Sequence, residues 1–376
     1  LIDWSRSDRA AGVTLAIATV AALAWANLDG PGYVHAWSTV PSWLGFSDLH
    51  FTAREWVNGG LMTLFFVVIG LEIRREMTAG ELASWRRAAG PVIAAVAGMV
   101  APALVYVAVV GDRPGGHGWG IPMATDVAFS LGALALLAPT ASLRLRVFLM
   151  TLGVADDILS IVVLVAVYSA AVEPAFAVAG VGCLVAMVGV RLIRGPAGAI
   201  ALTFGAAAWW TFARGGIEPA VVGVAIGSAG LASRAPPATT HDLGPRAWEH
   251  RLNPVVSLLV LPAFALANAG VDIGHLDVSS SIAFPVFVAV LLARVVGKPL
   301  GVWLGATLFR AQGSPRTRLG LGTVASVGFT VPLLIARVAF GDGALADSAT
   351  AALLAGTLVG ALLTAPLLRA SGNSPS

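Results

Sequence analysis

Runs of about 17 to 25 mostly apolar residues, set apart by short clusters of arginine, proline and glycine, recur from one end of this 376-residue chain to the other. Each is long enough, at ~1.5 Å per residue, to carry a helix across a hydrocarbon core ~30 Å thick. Strands of a membrane barrel would be shorter and would alternate polar with apolar, so a β-barrel does not fit. Nor does a soluble fold. Hydrophobic residues make up 57% of the chain and charged ones 11%, whereas a soluble domain carries about 25% charged residues. The reading is an all-α integral membrane protein.

The punctuation divides the chain into twelve expected crossings, at 10–27, 55–77, 89–111, 119–138, 146–169, 174–193, 198–213, 217–232, 254–272, 282–308, 319–341 and 346–368. Arg6 and Arg9 precede an apolar run ending in AWA, which also suits a secretory leader. The charge distribution is satisfied with that helix retained. With the N-terminus inside, Arg54, Arg113 and Arg214 fall in outer segments, and Arg294, Lys298 and Arg337 fall within spans. The other seventeen arginines all lie in inner segments. That bias places both termini in the cytoplasm, as expected for a bacterial inner-membrane protein. The net charge of +3 follows from the same rule and gives no sign of nucleic-acid binding. Cys183 lies alone in an apolar span and reads as packing. The outer connection from Asp29 to Thr52 contains WLGFSDLHFT, which fits a small hairpin. The inner connection from Ser233 to Asn253 is rich in Pro, Arg and His.

Two crossings are interrupted near their middles by Gly, Pro and small polar residues: GIPMATDVAFSLG (120–132) and ASVGFTVPLLIA (325–336). Unwound backbone at membrane depth is tolerated only where protein buries it or water reaches it. Such breaks at corresponding places in two halves point to a transporter's binding site. Each is the middle helix of a three-helix block, and the blocks start from opposite faces. This predicts one transmembrane domain over 1–376, with inverted core repeats at 88–170 and 281–369. Segments 1–87 and 171–280 are then the interface and scaffold.

An ionisable group at the bilayer centre costs about 2.5–3.5 kcal/mol on the insertion scale and usually marks a pathway or relay. Four stand out here: Asp126 in the first interrupted span, Asp156 and Asp157 in the next, and Lys298 in LLARVVGKPLGVWLG. Lys298 is the only lysine among 23 Lys and Arg residues. It is the one cation that can lose its proton when buried. The nearest inner arginine, Arg310, is twelve positions on, roughly 18 Å along a helix, too far for simple snorkelling. Neighbouring helical residues point about 100° apart, so Asp156 and Asp157 need not share one environment. Carboxylate oxygens suit hard cations such as Na⁺ or Li⁺ and equally bind protons. Competition between the two for one carboxylate gives exchange. Where broken helices cross, Asp126 and Lys298 are expected each to compensate one pair of like helix ends. Towards the inner surface, GLEIRREMTAGE supplies Glu72, Arg75 and Glu76, and WEHRLNP supplies Glu249 and His250. If these meet in space, mixed Glu and His titrate near neutral pH.

FFVVIGLEIRREM (65–77), PMATDVAFSLGALALL (122–137), FLMTLGVADDILSI (148–161), EHRLNPVVSLLVLPAFALANAGV (249–271), GKPLG (297–301) and GFTVPLLIA (328–336) together resemble the NhaA family of sodium/proton antiporters. NhaA antiporters are themselves inverted-repeat transporters with broken helices at the binding site. The resemblance implies a secondary transporter with no cofactor, moving internal Na⁺ or Li⁺ against external protons, electrogenic and pH-regulated. It makes Asp157 the principal cation and proton site and pairs Asp156 with Lys298. It puts Thr125, Asp126, Gly328 and Thr330 at the crossing, and Glu72, Arg75, Glu76, Glu249 and His250 in a pH-responsive funnel. It also implies a homodimer formed through the outer hairpin.

Three positions depart from the family's enterobacterial pattern. Glu218 and Asn253 stand where it has histidines, and Gly59 stands where an acid follows Asn58. They bear on the pH at which activity begins. Among other classes, a bile-acid-type symporter fits the fold, but a buried lysine beside two aspartates serves protons better than a bulky organic anion. An aspartyl protease using Asp126 and Asp157 would need a Gly-x-Gly-Asp that neither site has. A passive channel would need a ring of ligands.

Overall fold

The computed structural model describes residues 2–41, 49–139, 141–169, 172–190, 197–230, 245–274, 280–309 and 314–369. Its helices are α1 (Ile2–Leu28), α2 (Gly30–Ser38), α3 (Ala53–Glu55), α4 (Met62–Ala79), α5 (Trp85–Val110) and α6 (Val127–Leu137). There follow α7 (Leu143–Tyr168), α8 (Pro174–Val190), α9 (Ala197–Arg214), α10 (Val222–Ala225), α11 (Pro245–Val255) and α12 (Leu261–Asn268). The last are α13 (Ala283–Leu292), α14 (Lys298–Leu308), α15 (Pro315–Ala325), α16 (Thr330–Phe340) and α17 (Ala344–Arg369). Among the described residues there is no strand. Part of the expected hairpin, 42–48, lies outside them; the rest of that connection holds α2, capped by Asp29, whose side chain accepts from Gly32 N.

Among the described residues, seven helices are long and apolar enough to cross a membrane, and α15 with α16 makes an eighth, bent by 52°. The other four expected crossings fall on shorter pieces: α6 with the 3₁₀ turn Gly116–Gly120, then α8, α9, and Pro219–Ala229. Several spans continue through a π turn, at Trp56–Leu61, Val256–Val260 and Ala293–Gly297. Such turns widen a helix locally and recur at functional positions. Proline or a capping hydroxyl opens many helices, with Ser142 accepting from Leu145 N and Ser314 from Thr317 N. Gly111 and Gly341 end α5 and α16 with φ of 60° and 65°, a conformation costly for any residue with a Cβ.

Small residues set the packing. Lipid is as apolar as leucine, so helices associate through close contact rather than apolar transfer. Gly297, Gly301 and Gly305 form a four-residue ladder towards α5. A Cβ on Gly301 would stand 2.3 Å from Ala97 O, and one on Gly305 2.6 Å from Ala94 Cα. A second seam joins α4 to α10, where a Cβ on Gly223 would meet Thr63 O at 2.3 Å and one on Gly70 would meet Val224 O at 2.4 Å. α1 buries Leu15, Ala18, Ala22 and Ala26, one face of a helix packed on α12.

At the end carrying the 29–52 connection, polar contacts tie the spans together. Asn58 and Asn268 exchange side-chain amide hydrogen bonds of 3.2 and 2.7 Å. Arg54 donates to Ala267 O at 3.0 Å and pairs with Asp342, while Arg337 donates to Asn268 O at 3.3 Å and also reaches Asp342. Two guanidinium groups thus meet the last carbonyls of α12, where the helix dipole is negative.

The glycine seam gives the first prediction. Gly301→Leu places a side chain where α5 backbone stands and should lower the apparent melting temperature in detergent by on the order of 10 °C or prevent folding. Leu304→Ala, on the exposed side of the same helix, should change it little; fluorescence-detected size-exclusion melting compares the two.

Candidate ion-exchange site

The two interrupted spans meet. In one, 121–123 turn and 124–126 leave the helix before α6 begins; in the other, 326–329 separate α15 from α16. Each break exposes backbone N–H and C=O groups far from either end of the bundle, and each must find a protein partner.

Asp126 serves the N–H ends of both half-helices. Its Oδ1 accepts from Phe129 N at 3.1 Å, capping α6. Its Oδ2 accepts from Thr330 Oγ1 at 2.7 Å and Thr330 N at 3.3 Å, at the start of α16. A carboxylate between two helix N-termini is the favourable electrostatic arrangement. Thr125 Oγ1 donates to Ala325 O at 3.0 Å, and Ser130 Oγ donates to Val324 O and Val327 O at 3.0 and 2.8 Å.

The carbonyl ends fall to two cations. Lys298 Nζ donates to Met123 O and to Asp156 Oδ1 and Oδ2 at 2.9 and 3.1 Å. Arg294, one turn earlier, donates to Ala124 O at 2.6 Å, to Ser326 O, and to Gly328 O at 3.1 Å. Lys298, expected to compensate one pair of like helix ends, meets a single carbonyl, Met123 O. Arg294, given no role in the sequence reading, reaches both breaks. The available signal was an arginine inside an apolar span, four residues before the lysine.

α7 lies against this crossing because Gly153 permits it: a Cβ there would stand 2.3 Å from Val127 Cγ2. Three and four residues further on come the adjacent aspartates, both buried, and their surroundings differ. Asp156 accepts from Thr125 N at 2.6 Å and from Lys298. No described donor reaches the Asp157 carboxylate, although the residue is only 4% exposed. Among the described residues, no group of three or more His, Cys, Asp or Glu side chains gathers as a metal cage.

The charged residues of α4 and α11 do meet. Arg75 pairs with Glu249, and Arg75 Nε lies 4.0 Å from Glu76 Oε1; Glu76 and Glu249 are buried. Glu76 Oε2 also accepts from Glu81 N at 3.2 Å. Arg75 Nη2 reaches Met150 Sδ on α7 at 3.7 Å, two turns before Asp157. Glu72, one turn before Glu76 on α4, is half-buried. His250 is exposed. An apolar groove of ≈ 560 Å³ lined by Val295, Leu300, Leu319 and Leu363 is bordered by none of the site acids.

Membrane-length helices, two broken ones in contact, and a buried acid–base pair at the contact define the site as that of a secondary transporter, not an enzyme. A family model described as Na⁺/H⁺ antiporter 1 matches residues 3–368, and the chain belongs to that family. It is 38% identical to the Na⁺/H⁺ antiporter NhaA 2 of Frankia alni, with 97% of this chain and 77% of that protein covered. It is 39% identical to NhaA of Acidovorax sp., covering 96% and 89%. Against NhaA 1 of Salinispora arenicola it is 38% identical over 96% of its own length but spans only 61% of that relative. The solved structure of the sodium proton antiporter MjNhaP1 from Methanocaldococcus jannaschii at pH 8 is 15% identical, with a TM-score of 0.50. The alignment covers 97% of this chain and 99% of that one, a likeness of fold.

Asp126→Ala leaves both half-helix N-termini uncapped. At about 1 kcal/mol per cap it should cost about 2 kcal/mol, and Asp126→Asn, which keeps an acceptor, should cost less. Denaturant or thermal unfolding of the purified chain checks the order.

Proposed function

We propose that this protein exports Na⁺ or Li⁺ from the cytoplasm in exchange for external protons, by alternating access. The observation that carries the reading is the inequality of the two aspartates. Asp156 is held by Lys298 and a backbone N–H, while Asp157 beside it is buried with no hydrogen-bond donor among the described residues. Such a carboxylate takes either a proton or a hard cation, and one excludes the other. Membership of the antiporter family agrees.

In this reading a protonated Asp157 releases its proton towards the cytoplasm and takes Na⁺. The ion's charge beside Asp156 weakens the hold of Asp156 on Lys298, so the ammonium also gives up a proton to solvent. Two protons against one Na⁺ make the exchange electrogenic. The core repeats, 88–170 and 281–369, then move against the scaffold, 1–87 and 171–280, and expose the site on the other side. Twelve crossings with both termini in the cytoplasm of a bacterial inner membrane accommodate this movement, and a homodimer through the 29–52 connection steadies the scaffold.

The Arg75, Glu76 and Glu249 cluster, with Glu72 one turn before Glu76 on α4, suits a pH-responsive entrance on the cytoplasmic side. His250, being exposed, joins it only from the rim. Glu218 and Asn253 in place of histidines favour a pH threshold unlike that of the enterobacterial pattern.

The test uses everted vesicles or proteoliposomes with an imposed pH gradient, adding Na⁺, Li⁺ or K⁺ over a range of pH and following lumenal pH by fluorescence. Wild type should release protons on addition of Na⁺ or Li⁺, and Asp157→Asn should lose at least ~100-fold of that rate. No response to any cation from folded wild type would refute exchange.

A further inference from the structure

Two cations are buried at a crossing whose N–H ends need only one acid. Arg294 lies within the π turn Ala293–Gly297 and Lys298 directly follows it, and neighbouring carbonyls of one break divide between them, Met123 O to Lys298 and Ala124 O to Arg294. Arg294 alone continues to the other break, through Ser326 O and Gly328 O. Its place is built by residues from two further elements. A Cβ on Gly328 would stand 2.4 Å from Arg294 Nη2, and one on Gly356 of α17 would stand 3.1 Å from Arg294 Cβ. Both Arg294 and Lys298 are 0% exposed.

The charges sort into two sets. Asp126 binds the N–H ends of both half-helices and Arg294 the carbonyls of both breaks, acting two residues apart on one segment, at Thr330 and Gly328. One is negative and the other is a guanidinium, which keeps its proton in a protein. Lys298 touches one break only, and its other bonds go to Asp156. In charge the crossing is therefore balanced before Lys298 and Asp156 are counted, although the pair also meets two backbone groups of the first break, Met123 O and Thr125 N.

We infer that Arg294 is the permanent counter-charge of the crossing, a positioning residue that holds the two breaks together opposite Asp126. That duty leaves the Lys298–Asp156 pair free to exchange a proton with solvent without loosening the crossing. The first half stands on geometry alone; the second rests on the exchange reading above.

The test compares melting of the purified full chain with transport in proteoliposomes for four variants: Arg294→Met, Arg294→Lys, Gly356→Ala, and the neutral pair Asp156→Asn with Lys298→Met. The neutral pair should lose transport yet melt within about 5 °C of wild type, while Arg294→Met should fall by on the order of 10 °C or more. Arg294→Lys, which restores the charge but not the fork, should lie between them. Arg294→Lys and Gly356→Ala should slow turnover several-fold with the Na⁺ KM held within about 2-fold, because the guanidinium does not touch the ion.

A neutral pair that melts below Arg294→Met overturns the inference, as does an Arg294→Met protein with wild-type melting and turnover. A KM raised as strongly as turnover is lowered, in Arg294→Lys, overturns it too. If Arg294→Met yields no folded protein, the melt of Arg294→Lys decides, supporting the inference if it lies below the neutral pair and overturning it if above. Wild type that exchanges no cation removes the exchange reading, while the melts still decide the place of Arg294.

Discussion

A helix broken in the middle of a membrane leaves N–H and C=O groups that water does not reach, and every one must be answered from within the protein. The structure answers them by bringing two breaks together and sharing charged side chains between them. One carboxylate, Asp126, takes N–H groups from α6 and α16. One guanidinium, Arg294, takes carbonyls from both breaks. Separately, each break would be a liability of several unpaired groups at about 1–3 kcal/mol apiece. Crossed, they become a pre-organised polar centre in an apolar bundle.

The rest of the packing serves that centre. Glycine ladders bring α14 against α5 closely enough that Arg294 and Lys298 arrive at adjacent carbonyls of the first break. Gly153 brings α7 onto the first residue of α6, which sets Asp156 under Thr125 N. These are contacts of a few tenths of an ångström tolerance, and in lipid close contact is the main source of helix association. The small residues act as positioning elements for charges they never touch.

The aspartates show how little separation chemistry of this kind requires. One residue along a helix turns a side chain by about 100°. That turn is enough to give Asp156 a cation and a backbone donor while leaving Asp157 without either among the described residues. A tightly held acid next to an unheld one is how a buried pair avoids two equivalent, mutually repelling charges. Competition between proton and metal ion then needs no separate coupling device.

Much of this was legible in the sequence. Apolar run length made the chain all-helical with membrane-length spans, because hydrocarbon thickness dictates it, though four of the twelve expected crossings fall on shorter pieces. Gly, Pro and Thr-Asp within apolar runs marked both breaks, and isolated acids and a single lysine at membrane depth marked the candidate site, because such residues are too costly there without a task. What the sequence did not disclose was who partners whom. Arg294 looked like one more stray cation until Ala124, Ser326 and Gly328, distant along the chain, were seen to converge on it. The inequality of Asp156 and Asp157, the meeting of Arg75 with Glu249, and the exposure of His250 likewise depend on helix rotation and crossing. Those are set by glycine-to-backbone contacts between distant segments, and neither a residue's type nor its spacing along its own helix records them.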